Sequence, residues 1–259
     1  MLGNGFQTVI DERDFTQAEF HGTWGVSDED LVRRANETFV AQGDQPFFAL
    51  MLSTSNHEPF EYPAGRIELY EQPANTVNNA IKYADHAIGE FFRLAKKEKY
   101  FQNTVFVVVA DHNTRVYGVD LVPVNKFHIP ALIIGPDVKP QRYEKVASQI
   151  DLLPTLLDLI GMSTEHPMMG QDIFALPPDY PGHAIMQYNN MHAFMLGDQV
   201  IIHAPHKAAQ QFRYANERLS PVTMDPELER DALAHVDLPY LLYNERRYTF
   251  RTTSEPVGH

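Results

Sequence analysis

The run 104–110 (TVFVVVA) is uncharged and rich in β-branched side chains, and Asp111 and His112 follow it at once. Such a run reads as a central strand covered on both faces. Open α/β sheets bind ligands beyond the carboxyl ends of their strands, so this pair stands where chemistry is done. One carboxylate oxygen beside one imidazole nitrogen suits Zn²⁺ or Mn²⁺. The same dipeptide also fits a capped turn followed by a solvated histidine, and residue type alone leaves both open.

Other residues carry chemistry of their own. His57 lies in the segment 54–59 (TSNHEP), as a phosphate-oxygen donor, a general acid, or a partner for turn carbonyls. Trp24 is the only tryptophan, flanked by Gly22 and Gly25, and serves either a pocket or packing. Arg115 either clamps a phosphate through its planar fork or joins a surface ion pair. His128 reads as a residue supporting the site from behind, or as structural. His183, His192, His203, His206 and His235 have no ligand spacing.

Composition narrows the classes. A chain of 259 residues holds one sizeable core, or a core with a small appended subdomain. A formal net charge of −13 argues against nucleic acid or an anionic membrane as partner. With no cysteine, disulfides and thiolate chemistry are excluded. No run approaches the ~18 apolar residues of a membrane span, and no basic-then-apolar leader precedes the first structured segment.

Elements must position these groups. Ser27 followed by three acids predicts a capped helix to about Ala41. Residues 46–53 (PFFALMLS) read as a second buried strand. The apolar positions Val77, Ala80, Ile81, Ala84, Ile88, Phe91 and Ala95 predict a long amphipathic helix. Residues 129–135 (IPALIIG) read as a third strand, and 149–160 as a helix with Gly161 at its C-cap. Beyond the prolines at 177–178 the texture changes to short strands at 184–187, 193–196 and 199–203, with a turn at 197–198. A last helix is predicted over about 226–236. The order implies an α/β fold: a mixed sheet flanked by helices over 1–178, then a small antiparallel β-plus-helix subdomain over 179–259.

Several of these segments together resemble a known family. The Asp111-His112 strand, the loop 55–60 (SNHEPF) and the run 148–156 (SQIDLLPTL) resemble the sulfatase branch of the alkaline phosphatase superfamily. Within it, 23–30 (TWGVSDED) and 168–174 (MMGQDIF) are similar to the lipoteichoic acid synthase and phosphoglycerol transferase group. The resemblance implies an alkaline phosphatase/sulfatase-like sheet and a metal-dependent enzyme that attacks a phosphodiester through a Thr or Ser nucleophile. It implies metal ligation by Asp111 and His112, with manganese or zinc expected and magnesium or calcium as alternatives. It assigns His57 to catalysis and substrate contact, Trp24 to the headgroup pocket and His21 to a second pocket histidine. The implied substrate is an anionic phosphodiester or a lipid or glycan headgroup, handled outside the cytoplasm by a membrane-anchored parent.

Three departures qualify the resemblance. The acidic ligand and the nucleophile, which the family carries in its N-terminal half, have no counterpart in these residues. That half, or a second copy of the chain, is therefore an expected partner. Asn113 stands where synthases often have glycine, and Val26 where some have a pocket arginine, which weakens the case for glycerophosphate. A sulfatase, a phosphonate hydrolase, and a non-catalytic fragment or binding module are the competing expectations.

Overall fold

The computed structural model describes residues 5–248, in two compact units, Met1–Thr104 and Val105–His259. In the first unit a short hairpin, β1 (His21–Gly22) and β2 (Gly25–Val26), leads directly into helix α1 (Asp28–Ala41). Ser27 caps α1 by accepting the Asp30 N–H at 3.1 Å, as its sequence predicts. Val32, Ala35 and Phe39 recur at helical spacing and are buried. Phe39 stacks on Phe47 at 5.0 Å and meets Tyr100 and Phe91 edge-on at 5.7 and 6.2 Å.

Helix α2 (Val77–Ala95) packs on α1 with a face rotated from the expected one. Ala80, Tyr83, Ala84, Ala87, Phe91 and Ala95 are buried, while Ile81 and Ile88 are exposed. Alanines let the two helices approach closely. Tyr83 sends its hydroxyl to Glu29 at 3.2 Å, a bond that the isoleucines could not make.

The segment 46–53 corrects the sequence reading. It forms no strand, and Phe48, Leu50 and Leu52 are 62%, 56% and 57% exposed. A strand exists only through its neighbour's hydrogen bonds, and no other segment among the described residues is paired with it.

In the second unit, β3 (Phe106–Val109) pairs antiparallel with β4 (Ala131–Ile134), Phe106 opposite Ile134. The two strands form their own sheet, and Val109 and Leu132 are exposed. The central strand expected from 104–110 is therefore, among the described residues, a ribbon with one neighbour. A 3-10 turn (Gln149–Asp151) runs into helix α3 (Leu152–Leu159). The helix closes at Gly161, φ +70°, whose N–H bonds to the Asp158 carbonyl while that of Met162 bonds to Leu157, each at 2.8 Å.

The motif around α3 is a structural lock. Buried Asp151 accepts the N–H groups of Ser148 and Gln171, each at 2.8 Å. Thr155 accepts the Ile173 N–H at 3.1 Å. Gly170 passes so close that a Cβ there would lie 2.0 Å from the Ile150 carbonyl oxygen.

The rest is one antiparallel sheet in sequence order: β5 (His183–Tyr188), β6 (Met191–Leu196), β7 (Gln199–His203), β8 (Gln210–Ala215) and β9 (Arg218–Pro221). Alternation on β7 feeds two cores. Val200 and Ile202 join Val122, Val124, Met186 and Phe212 on one face, while Ile201 joins Phe194, Leu228 and Ala232 on the other. The latter pair comes from α4 (Pro226–Asn244), which runs beyond the predicted end at 236 and carries Pro239 inside it.

Candidate functional site

Two of the residues singled out meet in the first unit. The Trp24 and His57 rings lie 4.6 Å apart, tilted by 34°. The Trp24 indole N–H donates to the Glu58 carbonyl at 2.8 Å, tying the aromatic to the loop that carries the imidazole. An open cleft forms around them, lined also by Phe20, Thr23, Ser27, Thr54, Ser55 and Glu61. Glu61 accepts the Thr23 N–H at 2.6 Å, and that bond holds its carboxyl below the usual range. His21 is not in this lining; it is exposed and faces the Glu12 carboxylate at 3.5 Å.

The cleft is held from the N-terminus of α1. Asp28 accepts the Thr54 N–H at 2.9 Å, the Ser55 N–H at 3.4 Å and, most closely, the Ser55 hydroxyl. Asp30 accepts the N–H groups of Glu19 and Phe20 at 3.1 and 3.2 Å, the Ser27 hydroxyl at 2.6 Å, and Arg33 at 2.9 Å. Desolvation is the largest influence on Asp30 and opposes its charge. The bonds from Ser27, Glu19, Arg33 and Phe20 together outweigh it, so its pKa lies below the ordinary value. The sequence marked these acids only as complements to the helix dipole. Their role as clamps depends on loops distant in the chain, which no local signal reveals.

Asp111 and His112 follow β3 in the second unit, their side chains 71% and 68% exposed. The His112 N–H is accepted by Asp111 Oδ1 at 2.8 Å, and His112 Nδ1 lies 2.9 Å from the Asn113 carbonyl. A carbonyl only accepts, so Nδ1 carries a hydrogen. Nε2 stands 3.3 Å from Asp111 Oδ2. At this distance the two atoms can share a proton as an ion pair or, with Nε2 unprotonated, face a common cation. Ligands about 2.0–2.2 Å from a tetrahedral zinc lie about 3.3–3.6 Å from each other, so the pair fits one metal as neighbouring ligands. Among the described residues no third His, Asp, Glu or Cys completes the set.

Gln149, which the sequence reading passed over, braces this turn. Its amide donates to the carbonyls of Ala110 and Asp111 at 2.9 and 3.2 Å. Asn113 needs no left-handed backbone; its side chain accepts the Thr114 N–H at 2.8 Å. Arg115 and His128 are both exposed.

The family model for sulfatases matches residues 1–162, and the chain belongs to the sulfatase family. Its fold is that of the alkaline phosphatase superfamily. A solved protein of that superfamily from Vibrio parahaemolyticus superposes with a TM-score of 0.91 at 40% identity, over 95% of this chain and 62% of that one. Phosphoglycerol transferase I of Xanthomonas campestris pv. campestris (strain B100) is 30% identical over 182 residues, 63% of this chain and 25% of the relative. Lipoteichoic acid synthase of Staphylococcus saprophyticus is 24% identical over 231 residues, 78% of this chain and 32% of the relative. The chain thus spans about a quarter to a third of the length of these curated relatives.

Proposed function

We propose that this chain contributes part of a metal-assisted site that cleaves phosphodiesters, of the phosphoglycerol transferase kind. The observation that carries the reading is the convergence of Asp111 Oδ2 and His112 Nε2 at 3.3 Å after β3, in a chain similar to a phosphoglycerol transferase. Asp111 and His112 hold the cation, with manganese or zinc favoured by the mixed oxygen and nitrogen donors. When bound, the metal stabilises negative charge on phosphoryl oxygens. His57 donates a proton to a phosphoryl oxygen or to the departing alkoxide, and Trp24 offers an apolar face to the headgroup. Arg115 serves an anionic substrate as a solvent-facing cation, His21 serves as a second pocket histidine, and His128 supports the Asp111-His112 turn from behind.

The anionic headgroup substrate and an extracytoplasmic setting in a membrane-anchored parent are part of the same reading. It draws on the synthases and transferases to which the chain is similar. No helix among the described residues is long and apolar enough to cross a membrane.

Thermal unfolding with Mn²⁺ and Zn²⁺ tests the metal site without any assay of activity. Binding to the folded state alone adds about 2.7 kcal/mol at ~100 times the dissociation constant. Wild type should show the rise in Tm, and Asp111→Ala and His112→Ala should lose it. No rise in wild type at millimolar metal rejects the site.

A further inference from the structure

Three consecutive acids open α1, and each grips a different part of the first unit. Glu29 is turned toward α2, where it takes the Tyr83 hydroxyl at 3.2 Å and stands 3.6 Å from His86 Nε2. Asp30 holds the backbone at 19–20, just before the hairpin that carries Trp24. Asp28 holds the backbone at 54–55, where the chain turns toward His57. A bond from the His57 N–H to the Thr54 carbonyl at 3.1 Å closes that turn. Asp28 and Asp30 are both buried, at 2% and 7% exposure, although the loops that they fix are largely open. Buried carboxylates that accept several N–H and O–H donors are rigid anchors, because losing them strands those donors away from water.

We infer that Asp28 is a positioning residue: with Asp30 it sets the spacing of Trp24 and His57 by fixing both loops to one helix end. The inference rests on the reading of Trp24 and His57 as substrate-facing groups, but its test does not. The order runs from α1 through Asp28 to Thr54 and Ser55, through the closed turn to His57, and by ring contact to Trp24. Glu29, one residue on, shares the burial and the helix end, but its side chain pairs with Tyr83, His86 and Arg66, the last of which also holds Glu19, and not with the 54–55 loop that Asp28 grips. It is therefore an internal control for stability.

Because Trp24 is the only tryptophan, the long-wavelength near-ultraviolet circular dichroism band reports its immobilisation alone. The experiment measures this band, together with Tm, in the full chain. Wild type, Asp28→Ala, Asp28→Asn, Ser55→Ala and Glu29→Gln are compared at a temperature where all are folded. Asp28→Ala should lose most of the band. Asp28→Asn should recover part of it, since its amide oxygen still accepts the Thr54 N–H. Glu29→Gln should lower Tm and keep the band.

If Asp28→Ala keeps the wild-type band, or Glu29→Gln erases it equally, the inference is overturned. Should Asp28→Ala fail to fold, Ser55→Ala, which removes a single hydroxyl, decides the matter. A reduced band supports positioning and an unchanged one rejects it. Absence of a Tm rise with Mn²⁺ or Zn²⁺ in wild type would count against the proposed function and leave this result untouched.

Discussion

At the scale of single residues, the chemistry rests on orientation more than on residue type. In the proposed metal site, the Asn113 carbonyl 2.9 Å from His112 Nδ1 would leave Nε2 as the nitrogen turned to the cation. Asp111 is aimed because Gln149 grips the two carbonyls at the end of β3. Removing a group that orients metal ligands from behind generally costs about 10–100-fold in affinity. Gln149→Ala should therefore weaken Mn²⁺ binding by about that factor while the far-ultraviolet spectrum stays unchanged, as a titration calorimeter would show. Unaltered affinity would make Gln149 a bystander. The sequence displayed the Asp-His pair plainly, since a carboxylate and an imidazole after an apolar run are visible in one dimension. It could not display Gln149, Asp28 or Glu61, whose partners lie 38, 26 and 38 residues away.

At the scale of elements, local signals were legible wherever the element is specified locally. Ser27 and Gly161 mark helix ends through bonds within a few residues, and both stand where the pattern puts them. Elements whose existence depends on a distant neighbour were harder to read. The segment 46–53 has strand composition without a strand, and 104–110 has the look of a sheet centre with one neighbour. Strands β8 and β9 escaped notice because their residues, QQFRYA and RLSP, are too polar to stand out. They persist because Gln211 and Phe212 are buried against the sheet. The lock beside α3 supports a firm prediction. With no room for a Cβ at Gly170, Gly170→Ala should destabilise the second unit by about 1–3 kcal/mol or more, read as a lower midpoint in urea. An unchanged midpoint would mean that the 168–174 segment is free to shift.

At the scale of the whole molecule, acidity and exposed apolar surface govern behaviour in solution. His183 is 2% exposed; its Nδ1 faces the Tyr180 hydroxyl at 3.0 Å and its Nε2 has no partner among the described residues. Burial pushes its pKa below the ordinary value; the Asp151 charge opposes that, and the His235 ring, 5.5 Å away, adds to it. The unfolded chain therefore binds the proton more readily, so this contribution to stability is complete above about pH 6.5 and declines as pH falls below it. Tm should drop between pH 7.5 and 5.5, and His183→Gln should show a smaller drop. Equal slopes would assign the acid sensitivity elsewhere.

The segment 46–53 has one further consequence, for the handling of the protein at high concentration. An uncharged octet with alternate exposed apolar side chains, in no sheet among the described residues, is a template for another chain's backbone, including that of an identical copy. A net charge of −13 keeps copies apart at low ionic strength. Screening shortens that repulsion to about 8–10 Å in 0.10–0.15 M salt. The protein should therefore remain dispersed in dilute buffer and cluster as salt is added, the reverse of ordinary salting-in. Light scattering across a salt series would follow this. Leu50→Lys, which places a charge in the middle of the octet, should abolish the trend.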